Sequence, residues 1–316
     1  MINNRRAFIT GLKSTSLKKH EIVFLKKYKP WGVIIFSRNI KSLKQLKKLT
    51  DDIKKIFKDD RYPILIDEEG GRVNRLKKIF DTSVFTGSFF GNLYTKNKRK
   101  FSLYYQIYSK QISFLLKSAG ININTVPVLD VRRKNSNKVI GDRSFSSNTK
   151  IVSKIGDFCI SEFTKNKIGT IIKHIPGHGL AKVDSHKKTP IVKEKLTRLL
   201  KNDFNAFKNK NCFFAMTAHI IYTDIDKFNT ATHSKKIINL VRKNIKFKNL
   251  IISDDVSMRA LKYSIKQNTE KAFIAGCNLV MHCNGNFNEM LIVGKNSPKV
   301  NKFIITKTSQ FYKILI

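Results

Sequence analysis

Acidic residues are scarce in this chain. Its 316 residues carry 22 Asp+Glu against 62 Lys+Arg, a formal net charge of +40. Cysteine is also scarce. The four cysteines, Cys159, Cys212, Cys277 and Cys283, lie far apart and form no C-x-x-C pair. That excludes a disulfide framework and zinc-ribbon spacing, and buried thiols in a reducing compartment are expected. No apolar run approaches the ~18 residues of a membrane span. No long apolar segment follows the basic start Met1-Ile2-Asn3-Asn4-Arg5-Arg6, so no secretory leader is expected. A cytoplasmic protein without a membrane partner is the expectation. No G-x-G-x-x-G follows an early strand, which removes the phosphate loop of a dinucleotide-binding sheet.

What remains is enough for a folded core. Hydrophobic residues make up 41% of the chain and charged residues 27%, outside the range of disordered sequences. The charge raises the question of nucleic acid. The basic residues, however, are spread along the whole chain, mostly as Lys on helix faces expected to point outward. The longest clusters, such as Arg132-Arg133-Lys134, are short. They read as a solvated lysine surface with weak, salt-sensitive affinity for polyanions, and no specific nucleic-acid partner is expected.

Eight short apolar, β-branched segments recur: Ala7–Gly11, Gly32–Phe36, Pro63–Asp67, Ile121–Leu129, Gly169–His174, Phe213–His219, Leu250–Asp254 and Asn278–His282. Most are near-continuous apolar runs, as strands buried on both faces of a parallel sheet require. Helical stripes separate them. Leu43, Leu46, Leu49, Ile53, Ile56 and Phe57 form one, opened by Ser42 and Gln45 at capping-box spacing. Ile151, Val152, Ile155, Phe158, Cys159 and Phe163 form another. A third lies within Arg99–Ser118, with Gly120 placed as its C-terminal stop. The expected fold is a single α/β domain over residues 1–316, a (β/α)8 TIM-type barrel, with 301–316 as a last helix packed on it.

A barrel gathers reactive groups at the C-terminal ends of its strands. Strand three ends in Asp67-Glu68-Glu69-Gly70-Gly71-Arg72, strand four near Asp130 and strand five in Lys173-His174. Strand six carries His219, strand seven ends in Ser253-Asp254-Asp255 and strand eight in His282. Each alone reads best as a capped helix start or a satisfied core group; six strands agreeing on one end point to a site. The segment from Lys173 to His186 contains Pro176, Gly177 and Gly179 and is expected to loop over the mouth. Within it Asp184 and His186 stand two apart, on one side of an extended chain, so the carboxylate can orient and activate the imidazole for proton transfer. Zinc ligation by His174, His178 and His186 with an aspartate is the rival, but the spacing matches no standard signature. Asp254 is a nucleophile, a metal ligand or a helix N-cap; the capping role suits Asp255 better.

These motifs, in order, resemble the bacterial β-N-acetylglucosaminidases of glycoside hydrolase family 3, the cytoplasmic type used in cell-wall recycling. The carrying segments are Gly32–Asn39 (GVIIFSRN), Asp67–Arg75 (DEEGGRVNR), Val126–Val131 (VPVLDV), Gly141–Phe145 (GDRSF), Lys173–Gly179 (KHIPGHG), Val183–His186 (VDSH) and Ser253–Met258 (SDDVSM). The resemblance implies an exo-acting, retaining hydrolysis of terminal β-1,4-linked N-acetylglucosamine from muropeptides, by a monomer with no cofactor and no metal. Asp254 would form a covalent glycosyl–enzyme, and His186, paired with Asp184, would serve as acid and base. Asp67, Arg75, Arg143, Lys173 and His174 would hold the sugar. The sequence departs from the family pattern at Leu180-Ala181-Lys182, where Asp-Thr is frequent, at Glu68 and Asp142, commonly Gln and Glu, and at Val256, commonly Leu. None of these removes a residue given a chemical role. The alternatives are a basic barrel that binds nucleic acid or other polyanions without catalysis, and a metallohydrolase.

Overall fold

The computed structural model describes residues 2–133, 139–185 and 187–316. Its strands are β1 (Arg6–Gly11), β2 (Pro30–Ile35), β3 (Ile64–Ile66), β4 (Ile123–Asn124), β5 (Gly169–Ile175), β6 (Ile191–Val192), β7 (Phe214–Thr217), β8 (Ile221–Tyr222), β9 (Leu250–Asp255) and β10 (Leu279–His282). Eight of them close a parallel barrel in the order β1-β10-β9-β7-β5-β4-β3-β2. The helices are α1 (Lys19–Tyr28), α2 (Leu43–Phe57), α3 (Gly87–Lys96), α4 (Lys98–Ser118), α5 (Thr149–Lys165), α6 (Leu196–Lys201), α7 (Lys235–Lys243), α8 (Ile265–Ala275), α9 (Phe287–Asn296) and α10 (Lys302–Lys313). The (β/α)8 barrel expected from the apolar runs is the fold.

Why the runs are continuous is visible in the packing. Ala7, Ile9, Ile34, Leu65, Ile171, Ile252 and Leu279 form a cluster inside the barrel. Their neighbours Phe8, Val33, Ile35, Ile66, Ile172, Ile251 and Val280 belong to a second cluster, shared with the surrounding helices. Side chains alternate across a strand, so burial on both sides demands apolar residues at successive positions. The N-terminal end of the barrel is closed by α10. Phe311 stacks edge-on against Phe214, with ring centroids 5.2 Å apart, and Trp31 donates its indole N–H to Thr308 Oγ1 at 2.9 Å.

The helix signals act locally as their chemistry requires. Ser42 Oγ accepts from the Gln45 amide at 3.2 Å and caps α2, while Gln45 Oε1 reaches back to the Lys41 amide at 2.7 Å rather than to Ser42. Gly120 follows α4 at φ +73°, a left-handed conformation, and a Cβ there would lie 2.4 Å from Thr50 Oγ1.

Two features differ from expectation. The fourth strand is shorter than Ile121–Leu129: regular pairing is confined to Ile123–Asn124. Pro127 has no N–H to give the ladder. Contact with β5 resumes irregularly, through Lys173 N to Pro127 O at 3.2 Å and Leu129 N to Lys173 O at 2.8 Å. The second feature is the parallel β6–β8 pair beside the barrel. Two-residue strands are too short to leave a periodic signal.

Candidate active site

The strand ends build one charged cluster. After β3 the chain turns sharply at Gly70 and Gly71, with φ of +83° and +59°; a Cβ on Gly70 would meet Phe85 O at 2.4 Å. This turn sends Asp67 and Glu69 toward β5. There Lys173 Nζ, almost fully buried, lies 2.5 Å from Glu69 Oε1, 2.7 Å from Thr125 Oγ1 and 3.4 Å from Asp67 Oδ1. Arg143 donates through Nε and Nη2 to the two Glu69 oxygens, each at 2.8 Å, a bidentate pair. Asp67 accepts from the Thr125 hydroxyl and, at 3.3 Å, from Arg75 Nη2. The Arg75 guanidinium also lies 5.3 Å from the centre of the Phe36 ring.

The electrostatics keep both carboxylates ionised. Burial pushes the Asp67 and Glu69 carboxyls up, but the surrounding cations outweigh it. Asp67 is held well below the usual range by Lys173 and Arg75, and Glu69 at about 2 by Arg143 and Lys173. Glu68 is the contrast. Buried beside them without a comparable cation, it is raised to about 7 although it accepts from the Leu76 amide and the Thr82 hydroxyl, both at 2.9 Å.

A second cluster fixes His174. Asp130, fully buried, accepts from the His178 amide at 2.6 Å and the His174 amide at 3.2 Å, and lies 2.6 Å from His174 Nδ1. Burial raises the Asp130 carboxyl, yet the His174 and His178 contacts bring it below its ordinary value. An ionised Asp130 accepts the proton of His174 Nδ1, which leaves Nε2 as the ring's other polar atom. His178 is pushed down to about 4 by burial and by His174, so its ring is neutral at pH 7.

Asp254 and Asp255 at the end of β9 separate into two roles. Asp255 is tied into the backbone: Oδ1 accepts from the Ser257 amide at 3.0 Å and the Cys283 amide at 3.2 Å, and the Ser257 hydroxyl donates to both oxygens at 2.8 Å. It caps a turn, not a helix; the next helix starts at Ile265. Asp254 Oδ1 accepts the Asp255 amide at 2.8 Å, and the half-buried residue lines an open cleft.

That cleft is shared by Asp254, Asp67, Arg75, Arg143, Lys173 and His174, with Phe36, Met216, Met258 and Met281 adding apolar wall. Asp184 is not in its lining. Its carbonyl accepts the Lys187 and Lys188 amides at 3.0 Å each, and the adjoining Ser185 does line the cleft. His186 lies outside the described residues. His219 and His282 make their hydrogen bonds elsewhere. His219 bonds Thr232 Oγ1 at 2.7 Å and Asp255 O at 2.9 Å; His282 Nε2 bonds Glu289 at 2.8 Å. Among the described residues, no three His, Cys, Asp or Glu side chains gather as metal ligands. Glu69, which lines the cleft, and Asp130, which holds His174, are residues that sequence reasoning left without a role. Their partners lie 74 and 44 residues away, and only the DEEGG and VPVLD segments hinted at them.

A parallel barrel whose strand ends present ionised carboxylates, hydrogen-bond donors and an apolar wall to one open cleft is organised as a barrel enzyme. Comparison with known proteins gives the family. The chain matches the glycosyl hydrolase family 3 N terminal domain over residues 8–305, and it belongs to that family. A β-hexosaminidase of Nitrosomonas eutropha is 33% identical over 262 residues, covering 80% of this chain and 73% of the relative. One of Haemophilus ducreyi is 33% identical over 288 residues, covering 87% and 80%. NagZ from Neisseria gonorrhoeae, solved in complex with N-trifluoroacetyl-D-glucosamine, superposes with a TM-score of 0.87 at 26% identity over 98% of this chain and 90% of that one. The protein is thus a glycoside hydrolase, and the non-catalytic nucleic-acid reading has no support.

Proposed function

We propose that the protein is an exo-acting β-N-acetylglucosaminidase that removes terminal β-1,4-linked N-acetylglucosamine from muropeptide fragments with retention of configuration. The observation that carries this reading is the single cleft in which Asp254 sits with Asp67, Arg75, Arg143, Lys173 and His174. Relatives named β-hexosaminidase and a structural neighbour holding an N-acylglucosamine analogue support the same substrate class.

In this reading Asp67 accepts sugar hydroxyls, while Arg75, Arg143, Lys173 and His174 orient the ring and its substituents. An Asp254 carboxylate oxygen attacks the anomeric carbon as the bond to the leaving oxygen breaks. His186, oriented by Asp184, protonates that oxygen. Water, deprotonated by the same imidazole, then cleaves the glycosyl ester and regenerates Asp254. An imidazole takes the place of the second carboxylate of the usual retaining pair. Side chains handle every proton and bond, so the scheme needs neither cofactor nor metal. Residues 1–316 act as one domain, as a cytoplasmic monomer in peptidoglycan recycling.

Substitution tests the roles separately. Asp254→Ala should leave the melting temperature within a few degrees of wild type and lower turnover of an aryl N-acetylglucosaminide by at least about a thousandfold. Changing His186 should impair disaccharide substrates more than an activated phenyl glycoside, whose leaving group needs little protonation. Equal losses on both would contradict the acid assignment.

A further inference from the structure

Helix α4 is apolar on both sides. Toward the barrel it buries Phe101, Tyr105, Tyr108, Ile112, Leu115 and Leu116. Away from it Leu103 (54% exposed), Ile107 (58%) and Phe114 (60%) stand in solvent, with Tyr104 beside them at 47%. At 100° per residue, Leu103, Ile107 and Phe114 fall within an arc of roughly 40°. Lys100 lies on one side of this stripe, and Lys110 and Lys117 on the other. A surface helix ordinarily turns polar residues outward, and an outer apolar stripe on a 21-residue helix marks a face that is covered in use.

The charge around the stripe selects the cover. No Asp or Glu occurs between Asp81 and Asp130, a stretch that includes all of α3 and α4. On the neighbouring α5, Glu162 is paired with Lys165 at 2.8 Å and Asp157 with Lys210 at 2.9 Å. A second copy of this chain meeting the face symmetrically would bring lysine against lysine. A free polyanion would leave the apolar residues in water. A surface that is anionic outside and apolar a few ångströms within matches both features, with lysine stems lying along the boundary and Tyr104 at the headgroup level. No helix among the described residues is long and apolar enough to cross a membrane. We propose that α4 is a peripheral docking face for an anionic lipid bilayer, with the helix lying flat in the interface.

The test is co-sedimentation with lipid vesicles. The full-length protein should partition onto phosphatidylglycerol-containing vesicles and bind phosphatidylcholine vesicles at least about tenfold more weakly. The triple change Leu103→Ser, Ile107→Ser and Phe114→Ser should lower partitioning onto the anionic vesicles at least about tenfold. It should leave circular dichroism and turnover of a soluble aryl substrate unchanged. A tryptophan reporter, Phe114→Trp, should shift its emission to the blue on binding and be quenched by brominated lipid. Binding of the triple variant equal to wild type would overturn the proposal and assign adsorption to the general +40 charge. So would failure of the wild type to bind, loss of a wild-type dimer in the triple variant, or retention on an acidic polypeptide matrix without vesicle binding.

Discussion

At the N-terminal end of the barrel, Arg5 is buried 2.5 Å from Asp59 and 3.0 Å from the Tyr312 hydroxyl, with the Tyr62 ring centre 4.6 Å away. At the C-terminal end, Lys173 is buried 2.5 Å from Glu69 and 3.4 Å from Asp67. The chemistry is similar and the setting is not. Below, Tyr312 also donates to Asp59 at 2.9 Å and the network joins the N-terminal segment to α10. Above, Asp67, Glu69 and Lys173 border an open cleft. A buried charge pair by itself says little about function. Asp59, too, is held below its ordinary value and borders an open hollow with Tyr312. What distinguishes the upper cluster is that its carboxylates share their cleft with Asp254, Arg143 and His174.

Two substitutions would break this comparison if it is mistaken. Arg5→Met leaves Asp59 without its cation and should cost about 3–5 kcal/mol of stability. Lys173→Met leaves Arg143 on Glu69 and Arg75 on Asp67 and should cost less. Only Lys173→Met should also abolish turnover, by at least about a hundredfold in the fraction still folded. A matching loss of kcat in folded Arg5→Met, measured beside denaturant titrations, would erase the distinction between the two ends.

Asp130→Asn sharpens the picture with a smaller effect. An amide cannot accept from His174 Nδ1 and the His178 amide as a carboxylate does, so the imidazole loses its fixed tautomer. We expect kcat/KM to fall roughly 10–100-fold, by analogy with other orienting carboxylates. Unchanged kcat/KM would mean that His174 needs no orientation.

Glu68→Gln should move stability and not catalysis. The Glu68 carboxyl is raised by burial to about 7 in the folded protein, against an ordinary 4.5. Its proton therefore stabilises the fold fully below the unfolded value, and that contribution is lost as pH rises toward 7. The span is on the order of 3 kcal/mol. Glutamine does not ionise, so the variant's melting temperature should drop less than wild type between pH 5 and pH 8. Parallel curves for the two proteins would contradict this.

The apolar runs made the barrel legible because burial on both faces of a strand leaves an unmistakable pattern. The same pattern misled at β4, where hydrophobicity continues through Pro127 although regular pairing does not. The site was legible as far as local motifs carry chemistry: Asp67, Arg75, Arg143, Lys173, His174 and Asp254 do line one cleft. Glu69 and Asp130 were placed at strand ends but given no role, because their partners are brought near only by barrel closure. Periodicity identified α4 but not its outer face, where Leu103, Ile107 and Phe114 are exposed among the lysines.

The most direct test of the central claim is mass spectrometry of the protein after incubation with a fluorinated, slowly turned-over N-acetylglucosaminide. The account predicts a mass increase of one sugar, mapped to the peptide containing Asp254 and absent from Asp254→Ala. Turnover with no trapped sugar, or a sugar attached at another residue, would contradict it.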